Sequence, residues 1–273
     1  MDKENFFISL FDSEFIGDDG AIVGDLIYTS DMFFENIHFK KSWMSLYQIA
    51  RKAMLVNISD AVAMNAKVLY ALLDVQIPAT FTKNQLVELA KGFSDISKEF
   101  KFEIIGGDTI GGDKLNISVT MISKSSNPLT RYGVDADELL AYTGELGGSL
   151  RDLNLLLKDQ TIPKDSKFYE PKLRIDFIRK AREYLSAGMD ISDGLFCDTN
   201  KLLDANELGF ELLQDISDEI GFSGEEYEML IAFKPENREK ILEIAKNTST
   251  PLTIFAKTNR KEELRFKCKS HHF

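Results

Sequence analysis

The apolar residues of this chain switch repeatedly between the period of a helix and that of a strand, and this alternation constrains the fold most. After Thr82, the residues Leu86, Leu89, Ala90, Phe93, Ile96 and Phe100 recur at helical spacing. Thr82 with Gln85 three positions on makes a capping-box start. Leu115, Ile117, Val119 and Met121 then alternate as in a half-buried strand. Upstream, residues 21–30 are two apolar runs around Gly24-Asp25, a two-residue hairpin signal. Residues 45–66 read as an Ala-rich helix and 67–77 as a buried strand closed by Pro78. A strand at 102–105 leads into a glycine-rich turn. After a Ser/Pro-rich break at 123–131 the alternation restarts: strand 138–143, helices 148–158 and 172–186, strand 187–191, helix 194–206 and strand 209–214. Strand 228–233, helix 236–247 and strands 252–257 and 263–268 complete it. Interleaved strands and helices predict an α/β, layered α+β class. The break predicts two domains, 1–127 and 128–273.

The length of 273 residues allows this, at about 150 residues per domain. With 33 Lys+Arg against 44 Asp+Glu the net charge is −11, which argues against binding nucleic acid through a basic face and against a basic membrane-surface protein. No apolar run reaches the roughly 18 residues of a membrane span, and MDKENFFISLFDSEF lacks the basic-then-apolar order of a signal peptide. The two cysteines, Cys197 and Cys268, form no CxxC pair and no disulfide framework, which predicts a reducing cytoplasm. Cys197 reads as a small core residue. With only three histidines, His38, His271 and His272, zinc or Ser-His-Asp chemistry has little material, so charge handling falls to carboxylates.

Those carboxylates stand in unusual places. If Gly24-Asp25 is a two-residue turn, Val23 faces Leu26, Ile22 faces Ile27 and, without a bulge, Asp18 faces Asp31. Opposed like charges ask for a cation; if the pairing stops earlier, both are solvated loop acids. Asp60, with Asn57 one turn before it, falls on the otherwise apolar face of helix 45–66, where a carboxylate needs a partner; a hydrogen bond to a helix end also satisfies it. In Gly106-Gly107-Asp108-Thr109 glycines after a strand make an anion nest, or an ordinary hairpin turn. In MDISDGL (189–195) a strand ends at Asp190, and Ser192 and Asp193 stand where a helix is capped. Together they describe a magnesium–nucleotide site in which metal ions, not a lysine, neutralise phosphates.

The strings GDDGAIV (17–23), TSDMFFENIHF (29–39), NISDAVAMNA (57–66), IIGGDT (104–109), Arg131, MDISDGL (189–195) and, more loosely, SGEEYEML (223–230) resemble the thiamine-monophosphate kinase family of the PurM-like ATP-dependent superfamily. The resemblance implies a two-domain α/β/α fold, a homodimer whose N-terminal sheets join into a barrel, and direct in-line transfer of the ATP γ-phosphate to thiamine monophosphate with several Mg²⁺ ions and no phosphoenzyme. It implies Mg²⁺ binding by Asp18, Thr29, Ser30, Asp31, Asp60, Asp108, Asp190 and Asp193. It implies ATP contacts from Phe100, Gly107, Asp108, Arg131 and Ser192, and substrate contacts from His38 and Glu225. No general base is implied. The chain departs from the family at Ser223 and Glu226, where Gly and Asp are usual, at Phe100, where the family often has an aromatic hydroxyl, and at Ser270, where it often has an aromatic. Its second domain is also short near 155–170 and 214–223. Alternatives are another ATP-dependent enzyme of the superfamily, such as aminoimidazole ribonucleotide synthetase, or a non-catalytic nucleotide-binding dimer.

Overall fold

A computed structural model describes residues 3–261 and 264–268. In chain order its elements are α1 (Lys3–Ile8), β1 (Ala21–Val23), β2 (Leu26–Phe34), α2 (Leu46–Ala63), β3 (Lys67–Pro78), α3 (Lys83–Phe100), β4 (Glu103–Gly106), β5 (Thr109–Gly112), β6 (Asn116–Lys124), β7 (Leu139–Thr143), α4 (Gly148–Leu156), α5 (Ile175–Ala181), β8 (Ala187–Asp190), α6 (Leu195–Ala205), β9 (Gly209–Leu212), α7 (Asp218–Gly221), β10 (Met229–Phe233), α8 (Arg238–Asn247) and β11 (Leu252–Asn259). Two mixed layers of sheet and helix bear out the α/β class.

The first sheet runs β1-β2-β6-β3-β4, with β5 also paired to β3. The predicted hairpin register holds: Val23 pairs with Leu26 and Ile22 with Ile27. The ladder ends at Ala21↔Tyr28, and the chain bends away before it, so Asp18 is not a cross-strand partner of Asp31. Along β2 the side chains alternate: Ile27, Thr29 and Phe33 are buried, whereas Tyr28 and Met32 are exposed on the outer face.

Helix α2 is held at its start by a Ser45–Gln48 capping box. It is buried almost all round because it lies between the first sheet and β8 and α5 of the second half. A helix in that position shows no polar face. Helix α3 docks on α2 at Gly92, where a Cβ would meet the Tyr47 carbonyl oxygen at 2.5 Å and the Ala50 Cβ at 2.7 Å.

The second sheet runs β8-β10-β7-β11-β9. Strands β7 and β10 are buried throughout, since Leu139, Ala141 and Ile231 face a core shared with α2, α5 and α8 while Leu140, Leu230 and Ala232 face a second core under α6.

Short helices α1 and α7 were not expected, and three further elements differ from expectation. The helix at 172–186 is α5 plus a 3₁₀ turn at Arg182–Tyr184. The glycine-rich turn continues as β5, a short strand parallel to β3. Gly107 (φ +134°) allows this, because a Cβ there would lie 2.0 Å from the Leu73 carbonyl oxygen. Residues 264–268 are not a strand: Phe266 stacks on Phe196 at 4.2 Å, Asn200 bonds its backbone at 2.9 and 3.0 Å, and Cys268 is disulfide-bonded to Cys197. Two free thiols were expected. The long-range return of the tail across α6, over a separation of 71 residues, overturns that. Cys197 itself is buried, as expected of a small core residue. Ser270, His271, His272 and Phe273 lie outside the described residues. Among the described residues no helix is long and apolar enough to cross a membrane.

Candidate active site

Carboxylates from both halves of the chain converge where α2 passes between the two sheets. Asp31 arrives from β2, Asp60 from the end of α2 and Asp190 from the last position of β8. Asp18 and Asp19 come from the segment before β1, Asp193 from the loop before α6 and Glu225 from the loop before β10. All seven line one cavity of about 550 Å³. Asn57 fastens β2 to α2: its Oδ1 accepts the Asp31 backbone N–H at 3.0 Å and its Nδ2 donates to the Ala53 carbonyl at 3.1 Å. The Ser59 hydroxyl donates to Asp190 at 2.6 Å. Arg131 pairs through its guanidinium with Asp19 and donates its backbone N–H to both Asp18 oxygens at 3.2 and 3.3 Å. Lys201 contacts Asp193 at 2.5 Å and Asp198 at 2.9 Å, and Asp198 accepts the Asp193 backbone N–H at 3.0 Å.

Among the described residues of the cavity lining, Arg131 and Lys201 are the two cations set against these seven acids. Burial first, then Asp31, Asp190 and Asp19, pushes the Asp60 carboxyl well above the usual carboxylate range although it meets the cavity. Burial, then Asp19, does the same to Asp190, against the opposing hydrogen bond from Ser59. Asp18 is raised to about 6 by burial and by Asp19. Asp19 Oδ2 and Thr29 Oγ1 are buried with no hydrogen-bond partner. Crowded acids and orphaned oxygens of this kind fit a hard divalent cation with oxygen ligands. Among the described residues, no three His, Cys, Asp or Glu side chains are already drawn in around one point.

A second cavity of about 270 Å³ adjoins the first, and His38, Ser192 and Glu225 line both. His38 Nδ1 accepts the Phe34 backbone N–H at 3.0 Å, and the ring stacks on Phe33 at 5.5 Å. Glu225 and Tyr227 adopt φ +53° and +52°, a left-handed conformation uncommon for such residues and frequent at functional sites. The Glu225 backbone N–H donates to the Ser192 carbonyl at 2.7 Å, its carbonyl accepts the Ser149 hydroxyl at 2.9 Å, and its carboxylate contacts Lys52 at 2.6 Å.

Other predicted residues lie elsewhere. Thr29 points inward and does not line the acidic cavity. Ser30 touches the cavity rim, but its hydroxyl meets Thr120 at 3.1 Å. Asp108 is exposed in a separate cavity of about 480 Å³ with Asp74 and Gln76. There the Asp108 backbone N–H donates to Asp74 at 2.7 Å and the Thr109 N–H to Asp108 at 2.8 Å, so carboxylates occupy the anion positions of the glycine turn beside Gly107. Phe100 packs against the core at the end of α3. Asp193 does not cap α6, whose N-cap is Gly194 with no side-chain bond.

Residues 17–124 match the family model "AIR synthase related protein, N-terminal domain", and residues 136–269 match its C-terminal domain. The chain is an AIR synthase related protein. It is 29% identical over 228 residues to the thiamine-monophosphate kinase of Nitrosopumilus maritimus (strain SCM1), covering 77% of this chain and 74% of the relative. It is 28% identical over 261 residues to that of Aquifex aeolicus (strain VF5), covering 85% of each. AaThiL complexed with AMPPCP and TMP shares the fold at a TM-score of 0.83 and 24% identity, over 95% of this chain and 90% of that one.

In this AIR synthase related protein the departures at Ser223 and Glu226 meet at one helix end. Glu226 accepts the backbone N–H groups of Gly147 at 2.8 Å and Ser149 at 3.1 Å and the Ser223 hydroxyl at 2.5 Å, and Lys167 pairs with its other oxygen. A distant carboxylate thus caps α4, whose own N-cap, Gly147, has no side-chain bond. Sequence reading missed Asp19, Ser59, Asp198, Lys201 and Tyr227. The doubled acid of GDDG was the one visible signal. Tyr227 is buried, and Glu225, Asp31, Asp190 and Asp60 add to burial in holding its hydroxyl well above the usual phenol range.

Proposed function

We propose that this AIR synthase related protein transfers the γ-phosphoryl group of ATP to thiamine monophosphate, giving thiamine diphosphate and ADP. The observation that carries this is the pair of adjoining cavities, one acidic and one apolar, joined through His38, Ser192 and Glu225. An acceptor with an organic ring and a phosphate spans such a pair, and similarity to thiamine-monophosphate kinases supports that acceptor.

The acceptor phosphate oxygen attacks the γ-phosphorus in line as the bond to the β-phosphate oxygen breaks. A phosphate monoester is already anionic near neutral pH, so no side chain needs to act as general base. Asp18, Ser30, Asp31, Asp60, Asp190 and Asp193, which line the acidic cavity, are the residues we assign to Mg²⁺. When bound, the metal supplies the charge neutralisation that lets two polyanions approach. Phe100, Gly107, Asp108, Arg131 and Ser192 are assigned to ATP, while His38 and Glu225 orient the acceptor. The hydrogen bonds of Asn57, Ser59 and Arg131 fix the acidic side chains, a positioning role. We also propose a homodimer closed through the outer face of the first sheet.

Chromatographic product analysis with ATP, Mg²⁺ and thiamine monophosphate tests the reading. Thiamine diphosphate and ADP are expected in equal amounts, with Asp31→Asn and Asp108→Asn folded but inactive. Wild-type-like turnover in Asp31→Asn contradicts the metal assignment, and in Asp108→Asn the ATP assignment.

A further inference from the structure

Two aromatic side chains of the apolar cavity, Trp43 and Phe168, carry a lysine ammonium over the ring, an exposed lysine on Trp43 and a buried one on Phe168. Trp43, on the segment between β2 and α2, is half-buried and lines the cavity. The ammonium of the exposed Lys40 sits over the Trp43 ring, 4.8 Å from its centroid. Phe168 is 3% exposed and meets Trp43 edge-on at 6.2 Å and 69°. Phe168 is fixed from behind: the fully buried Lys52 Nζ lies 4.1 Å from its centroid and is itself tied to Glu225. Leu150 and Leu153 complete the apolar wall. The indole plane is thus set by a buried neighbour, while a surface lysine lies over its face.

A tryptophan face covered by a mobile cation suits a planar cationic ring, which makes the same interaction with more dispersion contact and displaces the lysine into solvent. From that position a short linker carries a phosphate past Glu225 and Ser192 towards the acidic cavity. We propose that Trp43, held in plane by Phe168, is the residue that selects the acceptor's cationic heteroaromatic ring. The inference rests on the acceptor assigned under Proposed function. It gives ring recognition to the segment after β2 and the segment before α5.

Trp43 is the only tryptophan in the chain, so its fluorescence reports on this site alone. Excited where tyrosine does not absorb, the wild-type enzyme should be quenched saturably by thiamine and by thiamine monophosphate, and not by ATP–Mg²⁺. Free tryptophan amide carried through the same titration corrects for absorption and collision. In steady-state kinetics Trp43→Ala should raise KM for thiamine monophosphate about tenfold. Its kcat and KM for ATP should stay within about twofold, and Trp43→Phe should recover most of the loss. Quenching no greater than that of the free amide overturns the proposal, as does an unchanged KM in Trp43→Ala. If Trp43→Ala fails to fold, the wild-type titration still decides. Saturable quenching without ADP formation upholds this inference and refutes the kinase reading. ADP formation without quenching does the reverse.

Discussion

Asp60 shows how this site trades stability for function at the scale of one residue. Its carboxyl and that of Asp190 are raised well above the usual range, and Asp18 is raised to about 6, burial leading in each case. In the unfolded chain all three return to about 4. The folded state then holds protons that the unfolded state has released. Their contribution to stability is complete below about pH 4 and is lost as the pH rises through each folded value, which is about 6 for Asp18. The metal-free protein should therefore lose melting temperature as the pH rises above about 4, and Mg²⁺ should abolish that loss. Asp60→Asn should flatten the same profile and raise the Mg²⁺-free melting temperature at neutral pH by about 2–4 °C while ending turnover. Scanning fluorimetry across pH checks both. A metal-free profile identical in wild type and Asp60→Asn contradicts the clustering of charge. Asp60 was legible in the sequence because a carboxylate broke an apolar helix face. Asp198 was not, because it sits on α6 like any helical acid and only the fold shows it fully buried against Lys201.

Among the elements, periodicity revealed α3, β6, β7 and β10, and the Gly24-Asp25 turn signal revealed the β1–β2 register, since each is a local pattern. It did not reveal β5, which exists because Gly107 lets the chain close on β3. Nor did it reveal the fold-back of 264–268, which depends on contacts with α6. The α2–α3 contact gives a sharp test of packing against propensity. On propensity alone Gly92→Ala should stabilise α3 by about 1 kcal/mol. Yet the new methyl would lie 2.5 Å from the Tyr47 carbonyl oxygen and 2.7 Å from Ala50. We expect a net destabilisation of about 1–3 kcal/mol, measured by chemical denaturation. Thr82→Ala, which removes the capping box of α3, should cost about 1 kcal/mol and leave activity intact.

For the molecule as a whole, the excess of acid has a purpose in one place. Seven acids line a single cavity in a chain of net charge −11, and under the proposed function such a chain approaches phosphates through metal ions rather than through lysines. The outer face of the first sheet carries a second whole-molecule expectation. Tyr28, Met32, Tyr70, Ile105 and Ile110 are exposed there, aligned through the β2–β6–β3 ladder for Tyr28, Ile122 and Tyr70. A face of this kind asks for a partner, and Tyr70→Glu should shift sedimentation from dimer to monomer. The central claim is tested most directly by the initial rate of ADP release from ATP and Mg²⁺, measured with and without thiamine monophosphate. The account predicts rapid release that saturates with thiamine monophosphate and falls to background without it. A rate that is the same with and without thiamine monophosphate would contradict it.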